Sequence, residues 1–258
     1  MHKSWCFKVR SYDRDADQWR EHERSLIVEI PLLIMVNGEY LATLNRTPGD
    51  DFLLASGFLY YQGLIDGPED ILNHQLNPAE KELSGAARTS DTIHFTIKKP
   101  TPNLRPQSAA ALWSKLRPYL KKNRRQPFTL APQLITGLPD EMIKEQELYK
   151  STAGAHAVAL IGQDGRILHC AEDVGRTNAL DKVVGHCVSK QINMSDCGAL
   201  FSGRINLEMA VKIARAGFPL IFSVSAPTAA AVAVLKELGV TYTGSLKGKS
   251  FTLFNGSL

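Results

Sequence analysis

Three short runs in the second half of the chain bring together groups that grip a charged, polar ligand: Asp173-Val-Gly-Arg176, Ser202-Gly-Arg204 and Ser225-Ala-Pro-Thr228. A guanidinium forks onto two oxygens of a phosphate or onto a base edge. Gly175 and Gly203 have no Cβ, so a ligand can come close to the backbone there. Asp173 or Asp181 can accept from a guanine N–H or a ribose hydroxyl. The first run belongs to a denser stretch, Glu172 to Lys182, in which two acids, a glycine, an arginine and a further acid–base pair follow one another. Ordinary core packing does not call for such a sequence.

Each group also has a plain structural reading. Ser202, Asn206 and Thr228 taken singly read as helix caps. Glu208 and Lys212 read as an i, i+4 surface pair, and Asp181 and Lys182 as a solvated face. A lone histidine is more often structural than functional, but His156 follows Ser151-Thr-Ala-Gly-Ala155 and opens a strand, which makes it a site candidate. His169 reads as strand packing and His186 as helix surface. Cys170, Cys187 and Cys197 read as small core residues.

The elements that would position these groups follow from periodicity. Alternating Val28, Ile30, Leu32, Ile34 and Val36 lead into Asn37-Gly38, and Tyr40 to Leu44 returns, which predicts a hairpin over 26–44. Thr47-Pro-Gly-Asp-Asp51 predicts a helix capped by Thr47 with Pro48 at its first position, burying Leu53, Leu54, Gly57, Phe58 and Tyr61 and ending at Gly63. A strand over 92–97 follows. The proline-rich stretch 98–107 reads as a loop. Helical segments over 108–120 and 132–149 are expected to be interrupted at Pro118 and at Gly137-Leu-Pro139.

From His156 onward a hairpin (157–161 and 167–171) precedes helix 178–190, strand 198–202, a helix burying Leu207, Ala210, Val211 and Ala214, strand 219–224, helix 228–238 and strands 240–245 and 250–254. Strands alternating with helices of this length imply a layered α/β sheet. The three runs then fall where strands end and helices begin. In an open α/β sheet such junctions collect at the carboxyl edge, where helix N-termini offer free N–H groups to phosphate. The expected organisation is an α+β domain over 1–105, a helical linker over 106–150 and an α/β domain over 151–258.

Composition narrows the class. The chain has 258 residues, 44% hydrophobic and 22% charged, with a formal net charge of +4. That balance suits an anionic ligand, but with no arginine-rich arm or aromatic-basic ladder it does not point to nucleic acid. The run Lys121-Lys-Asn-Arg-Arg125 reads as a solvated helix end. The N-terminus lacks the apolar centre of a signal peptide and no apolar run is long enough to span a bilayer, so no membrane is expected. Four scattered cysteines form no C-x-x-C pair, which argues against a zinc knuckle or a disulfide scaffold and for a reducing cytoplasm. The H-x-E and P-C-x-x-C spacing of a zinc deaminase is absent, and no metal site is expected.

Taken in order, these residues resemble the formate dehydrogenase accessory protein family FdhD. The resemblance rests on Glu172-Asp-Val-Gly-Arg176, Asn178-Ala-Leu-Asp-Lys182, Ser202-Gly-Arg204 with Glu208, and Ser225-Ala-Pro-Thr228. It extends to Glu29-Ile-Pro-Leu-Leu-Ile-Met-Val-Asn-Gly38, Thr47-Pro-Gly-Asp-Asp51, Ala55-Ser-Gly-Phe58 and Thr152-Ala-Gly-Ala-His156. It implies a cytidine-deaminase-like three-layer α/β fold for the C-terminal domain, and a homodimer. It also implies a role in taking persulfide sulfur from a cysteine desulfurase and passing it to the molybdenum or tungsten bis-molybdopterin guanine dinucleotide cofactor of formate dehydrogenase, with GDP as a fragment analogue. The implied binding residues are His156, Asp173, Arg176, Ser202, Arg204, Ser225 and Thr228. A further stretch, Thr243, Gly244, Ser245, Leu246, Lys247 and Gly248, corresponds to the family's cofactor-binding segment and reads as a loop suited to phosphate.

Two departures stand out. The family's persulfide cysteine lies in a C-x-x-C loop, and the corresponding place here, 101–107, holds no cysteine; no other side chain replaces a thiolate that must hold sulfane sulfur. The family's arginine–histidine pair is Arg176-Thr177 here. No catalytic residue is therefore assigned. The alternative to a sulfur carrier is a non-catalytic carrier or chaperone for the cofactor.

Overall fold

The computed structural model describes residues 2–79, 90–101, 105–118 and 128–258, together with the backbone of 82–83 and 87–88. The basic run 121–125, residues 119–120 of the expected helix and residues 102–104 of the cysteine-free stretch lie outside the described residues.

The chain opens with a two-stranded ribbon, β1 (Ser4–Asp13) and β2 (Gln18–Ile27), paired antiparallel in continuous register. Both of its faces are largely exposed, so it carries no hydrophobic alternation and periodicity did not reveal it. β3 (Ile30–Val36) and β4 (Glu39–Arg46) form the expected hairpin. Asn37 and Gly38 both have positive φ, at 50° and 84°, as a type I′ turn requires. After α1 (Asp51–Gln62) come β5 (Ile71–Asn77), the two-residue strands β6 (Glu82–Leu83) and β7 (Ala87–Arg88), and β8 (Asp91–Ile97). The first sheet has the order β4-β3-β8-β5, with β3 and β8 parallel.

The helical connection contains α2 (Ala109–Leu116), α3 (Pro132–Glu145) and α4 (Glu147–Thr152). The expected break at Gly137-Leu-Pro139 does not occur, and α3 runs through it. A proline removes only one rung, at about 3 kcal/mol. Burial of Ile135, Leu138 and Met142 on the same helix offsets that cost.

The second half follows the expected succession: β9 (His156–Ile161), β10 (Ile167–Asp173), α5 (Arg176–Ser189), β11 (Gly198–Phe201), α6 (Leu207–Ala216), β12 (Leu220–Ser223), α7 (Ala229–Glu237), β13 (Thr241–Lys247) and β14 (Ser250–Asn255). They build a six-stranded sheet ordered β10-β9-β11-β12-β13-β14, in which β11, β12 and β13 are parallel. Side chains of α5, α6 and α7 cover one face and α3 the other, which makes three layers.

The two sheets share one hydrophobic cluster. It runs from Leu32, Ile34 and Phe95 through Leu54 and Phe58 of α1 to Leu180 and Val184 of α5, and on to Leu160 and Phe201. Helices α1 and α5 touch backbone to backbone. A Cβ on Gly57 would overlap the Asp181 carbonyl, and one on Gly185 would overlap the Leu53 carbonyl. Both glycines are therefore required by the crossing itself.

Candidate functional site at the carboxyl edge of the six-stranded sheet

The first structural result is how much of the charged motif faces inward. Asp173 is fully buried and pairs with buried Lys182 at 2.8 Å. It also accepts from the Thr47 and Gly175 backbone N–H groups and from Asn178 Nδ2. Its carboxylate is thus saturated and cannot take a guanine N–H, so Asp173 holds the junction in shape instead of lining it. Asn178 also donates to the Asn45 carbonyl, and Lys182 to the Thr47 and Glu172 carbonyls. Thr47 does not cap α1. Its hydroxyl accepts from Val174 N–H, and α1 begins at Asp51, three residues beyond Pro48, after Asp50 in a left-handed conformation. Asp51 pairs with fully buried Arg46, which also binds Asp91 at 2.6 Å.

The pairs expected on the surface are likewise internal. Lys212 does not meet Glu208; it donates to both oxygens of buried Asp181 and lies over the Tyr61 ring at 4.3 Å. Burial pushes the Asp181 carboxyl up, and Lys212 pulls it back down. Glu172 accepts from the Leu148 and Tyr149 backbone N–H groups at 2.8 Å and so ties the first turn of α4 to β10. His186 is no bare surface residue, because its ring stacks on His169 with centroids 3.9 Å apart.

The remaining groups gather along one edge. β11, β12 and β13 all end there, and antiparallel β9 begins there, which puts His156 opposite Asp173. Neighbouring junctions are hydrogen-bonded to one another. Ser202 N–H donates to the Ala157 carbonyl, and the Ser202 hydroxyl accepts from Ala157 N–H. The Ser225 hydroxyl donates to the Ser202 carbonyl, and Ser245 N–H to the Ser225 carbonyl. A Cβ on Gly203 would sit 3.2 Å from His156 Nδ1 and 3.8 Å from Arg176 Cβ, so the glycine leaves both side chains room. Burial first, and then Arg176, holds the His156 imidazole below its ordinary range, which keeps it neutral.

Electrostatics single out two residues here. Arg176 is half-buried and Arg204 exposed, and neither meets a carboxylate among the described residues. The helix starts differ as well. Asn206 caps α6 and Thr228 caps α7 with side-chain oxygens, which confirms the cap reading for both. The start of α5 at Gly175 has no side-chain cap, so the N–H groups of its first turn, beginning with that of Arg176, have no capping oxygen.

The 243–248 segment is not a loop. Thr243 and Gly244 are buried within β13, and the Thr243 hydroxyl has no partner among the described residues. A Cβ on Gly244 would crowd Ser223 Oγ at 2.8 Å. Leu246 is buried against the α3 side of the sheet, while Lys247 and Gly248 are exposed at the hairpin tip. A bulge between Gly244 and Lys247 breaks the alternation, and Ser245 takes a left-handed φ of 55° at the edge. The structure thus brings together His156, Arg176, Ser202, Ser225 and Ser245, with Arg204 exposed next to Gly203. It turns Asp173, Thr243, Gly244 and Leu246 inward, and leaves Thr228 a cap.

Sequence reasoning missed the wall facing this edge. A cavity of about 350 Å³ lies between α3–α4 and the strand ends, lined by Met142, Gln146, Tyr149, His156, Ser202 and Val224 among others. Reading 132–149 as helix gave no sign of Gln146, because the chain kinks there (φ −89°, ψ 77°) and buries the side chain.

No cysteine in the chain carries an activated thiolate. Cys187 and Cys197 are buried. Cys170 is partly buried in β10, and burial, with Glu172 and Glu145 nearby, pushes its thiol up to about 12. Cys6 lies on the exposed ribbon with its thiol also raised. Among the described residues no group of three or more His, Cys, Asp or Glu is placed to hold a metal ion, and no helix is long and apolar enough to cross a membrane.

Fold and edge together define a three-layer α/β protein with polar junctions gathered at the carboxyl ends of its strands. The sequence pattern of the FdhD/NarQ family matches residues 27–257, which begins where the ribbon ends. The chain belongs to that family. It is 33% identical to the Sulfur carrier protein FdhD of Streptomyces coelicolor over 90% of this chain and 88% of that one. It is 35% identical to that of Anaeromyxobacter dehalogenans, over 89% and 86%. A solved structure from Desulfotalea psychrophila, described as a formate dehydrogenase accessory protein, superposes with a TM-score of 0.77 over 99% of this chain and 98% of that one, at 23% identity. At that identity the match speaks for the fold.

Proposed function

We propose that this protein is a formate dehydrogenase accessory protein that holds the molybdenum or tungsten bis-molybdopterin guanine dinucleotide cofactor at the carboxyl edge of its six-stranded sheet, with GDP as a sufficient fragment. The observation that carries this reading is the pair of arginines, Arg176 at the uncapped start of α5 and Arg204 after Gly203, which meet no carboxylate among the described residues. Unpaired guanidinium groups next to free N–H groups form a phosphate site. Ser202, Ser225 and Ser245 add hydroxyls in hydrogen-bonded succession, and neutral His156 can donate or accept. The residues present therefore fit the dinucleotide's phosphates and sugars. The partners of this reading are formate dehydrogenase, a cysteine desulfurase and a second copy of the chain.

Relatives bear the name sulfur carrier, but the cysteines of this chain favour a narrower role. A thiol pushed up to about 12 is almost wholly protonated at neutral pH and is a poor persulfide acceptor. The reading favoured is a carrier that binds and presents the cofactor without holding sulfur itself. Incubation with a cysteine desulfurase and cysteine, followed by intact-mass spectrometry, should leave all four cysteines without added sulfur while GDP still binds. A persulfide mapped to Cys170 or Cys6 overturns the non-catalytic role and restores sulfur transfer.

A further inference from the structure

Gln146 is 3% exposed, and its side-chain amide meets no hydrogen-bond partner among the described residues. The amide atoms keep some solvent access through the cavity that the residue lines, so a ligand there can reach them. The residue occupies the kink shared by α3 and α4. Its backbone N–H donates to the Ile143 carbonyl and its carbonyl accepts from Lys150 N–H, so the backbone is satisfied while the side chain is not. It lines the cavity whose other walls are apolar (Met142, Ile143, Val224) and aromatic (Tyr149), and which His156 and Ser202 of the strand-end edge also line. A slot with apolar faces and one convergent polar group suits a flat heterocycle. A carboxamide offers a donor and an acceptor side by side, and its complement is a ring edge carrying an acceptor next to a donor.

We propose that this cavity is a heterocycle pocket and that Gln146 is its specificity-determining residue, pairing through its amide with a lactam N–H/C=O edge. The inference rests on the guanine-dinucleotide reading above, because guanine and pterin both carry that edge on a 2-amino-4-oxopyrimidine ring. Either end of the cofactor could supply it. Ser202 and His156 connect the pocket to the arginines, so one ligand can fill the slot with its ring and the edge with its phosphates.

The test uses the full chain and the Gln146→Met variant, which keeps the side-chain length and removes the amide. GDP and free 2-amino-4-oxopteridine are titrated separately, and thermal melts are recorded for both proteins. Removing an amide that makes no hydrogen bond within the described residues should leave the melting temperature unchanged, a result that a structural role for the amide would not give. Affinity for the ring that occupies the slot should fall about tenfold, as expected for the loss of two neutral hydrogen bonds. A fall for GDP alone assigns the slot to guanine, a fall for the pteridine alone assigns it to pterin, and a fall for both marks the shared edge. Affinities unchanged for both ligands, or a lowered melting temperature, overturn the role of Gln146. Wild-type protein that binds neither ligand overturns instead the reading on which the inference rests.

Discussion

The seam between α1 and α5 and the carboxyl edge of the six-stranded sheet are built from the same few residue types, used in opposite ways. At the seam every charge is buried and paired: Arg46 between Asp51 and Asp91, Asp173 with Lys182, Asp181 with Lys212. At the edge, Arg176, one turn from Asp173 in the same motif, is half-buried and Arg204 is exposed, and neither meets a carboxylate among the described residues. A motif dense in charge thus splits into residues that join the two sheets and residues left to bind. Breaking a buried pair exposes an uncompensated charge to low dielectric, whereas removing an accessible cation disturbs little but its ligand.

That contrast predicts effects of different size and kind. Lys182→Met should be the most damaging change, costing about 3–5 kcal/mol of unfolding free energy because Asp173 is left buried without its cation; chemical denaturation measures it, and a loss below about 1 kcal/mol would dissolve the distinction between seam and edge. Gly57→Ala places a methyl group into the Asp181 carbonyl and should cost about 3 kcal/mol by forcing α1 and α5 apart. Arg204→Ala should leave unfolding within about 0.5 kcal/mol of wild type yet weaken GDP binding about tenfold, since a charge-assisted hydrogen bond contributes roughly 1.5–3 kcal/mol. Calorimetric titration beside a denaturation curve separates the two effects.

The smallest expected effect is on pH dependence. Burial holds His156, His169 and His186 below the ordinary imidazole range, and stacking discourages charging both His169 and His186. A histidine with a depressed folded pKa binds its proton more readily when unfolded. Stability is therefore fully present above about pH 6.5 and falls as pH drops through that value toward the folded pKa values. Melting curves from pH 8 to 5 should show this decline, with less of it in His169→Phe.

Much of the fold was legible because its signals were local. The Asn37-Gly38 turn, Gly63 as the end of α1, and the alternation of strands and helices after His156 all appear where expected. The carboxyl-edge junctions were legible for the same reason, as strand-to-helix switches marked by glycine and hydroxyls. What could not be read was burial. Nothing local distinguishes Asp173, which binds the Thr47 backbone N–H 126 residues away, or Lys212, which meets Asp181 and the Tyr61 ring of α1, from a solvated acid or base. The bulge in β13 and the kink at Gln146 escaped for a related reason, since each depends on a tertiary contact that overrides the regular period. The ribbon escaped because an element exposed on both faces leaves no hydrophobic pattern.

The central claim is that the strand ends form one nucleotide-binding edge. Amide hydrogen exchange of the full chain with and without saturating GDP tests it most directly. The account predicts slowed exchange confined to the start of α5 at 175–177, to 202–204 and 224–226, and to Ser245. Unchanged exchange in those segments, or protection centred on the β1–β2 ribbon instead, would contradict it.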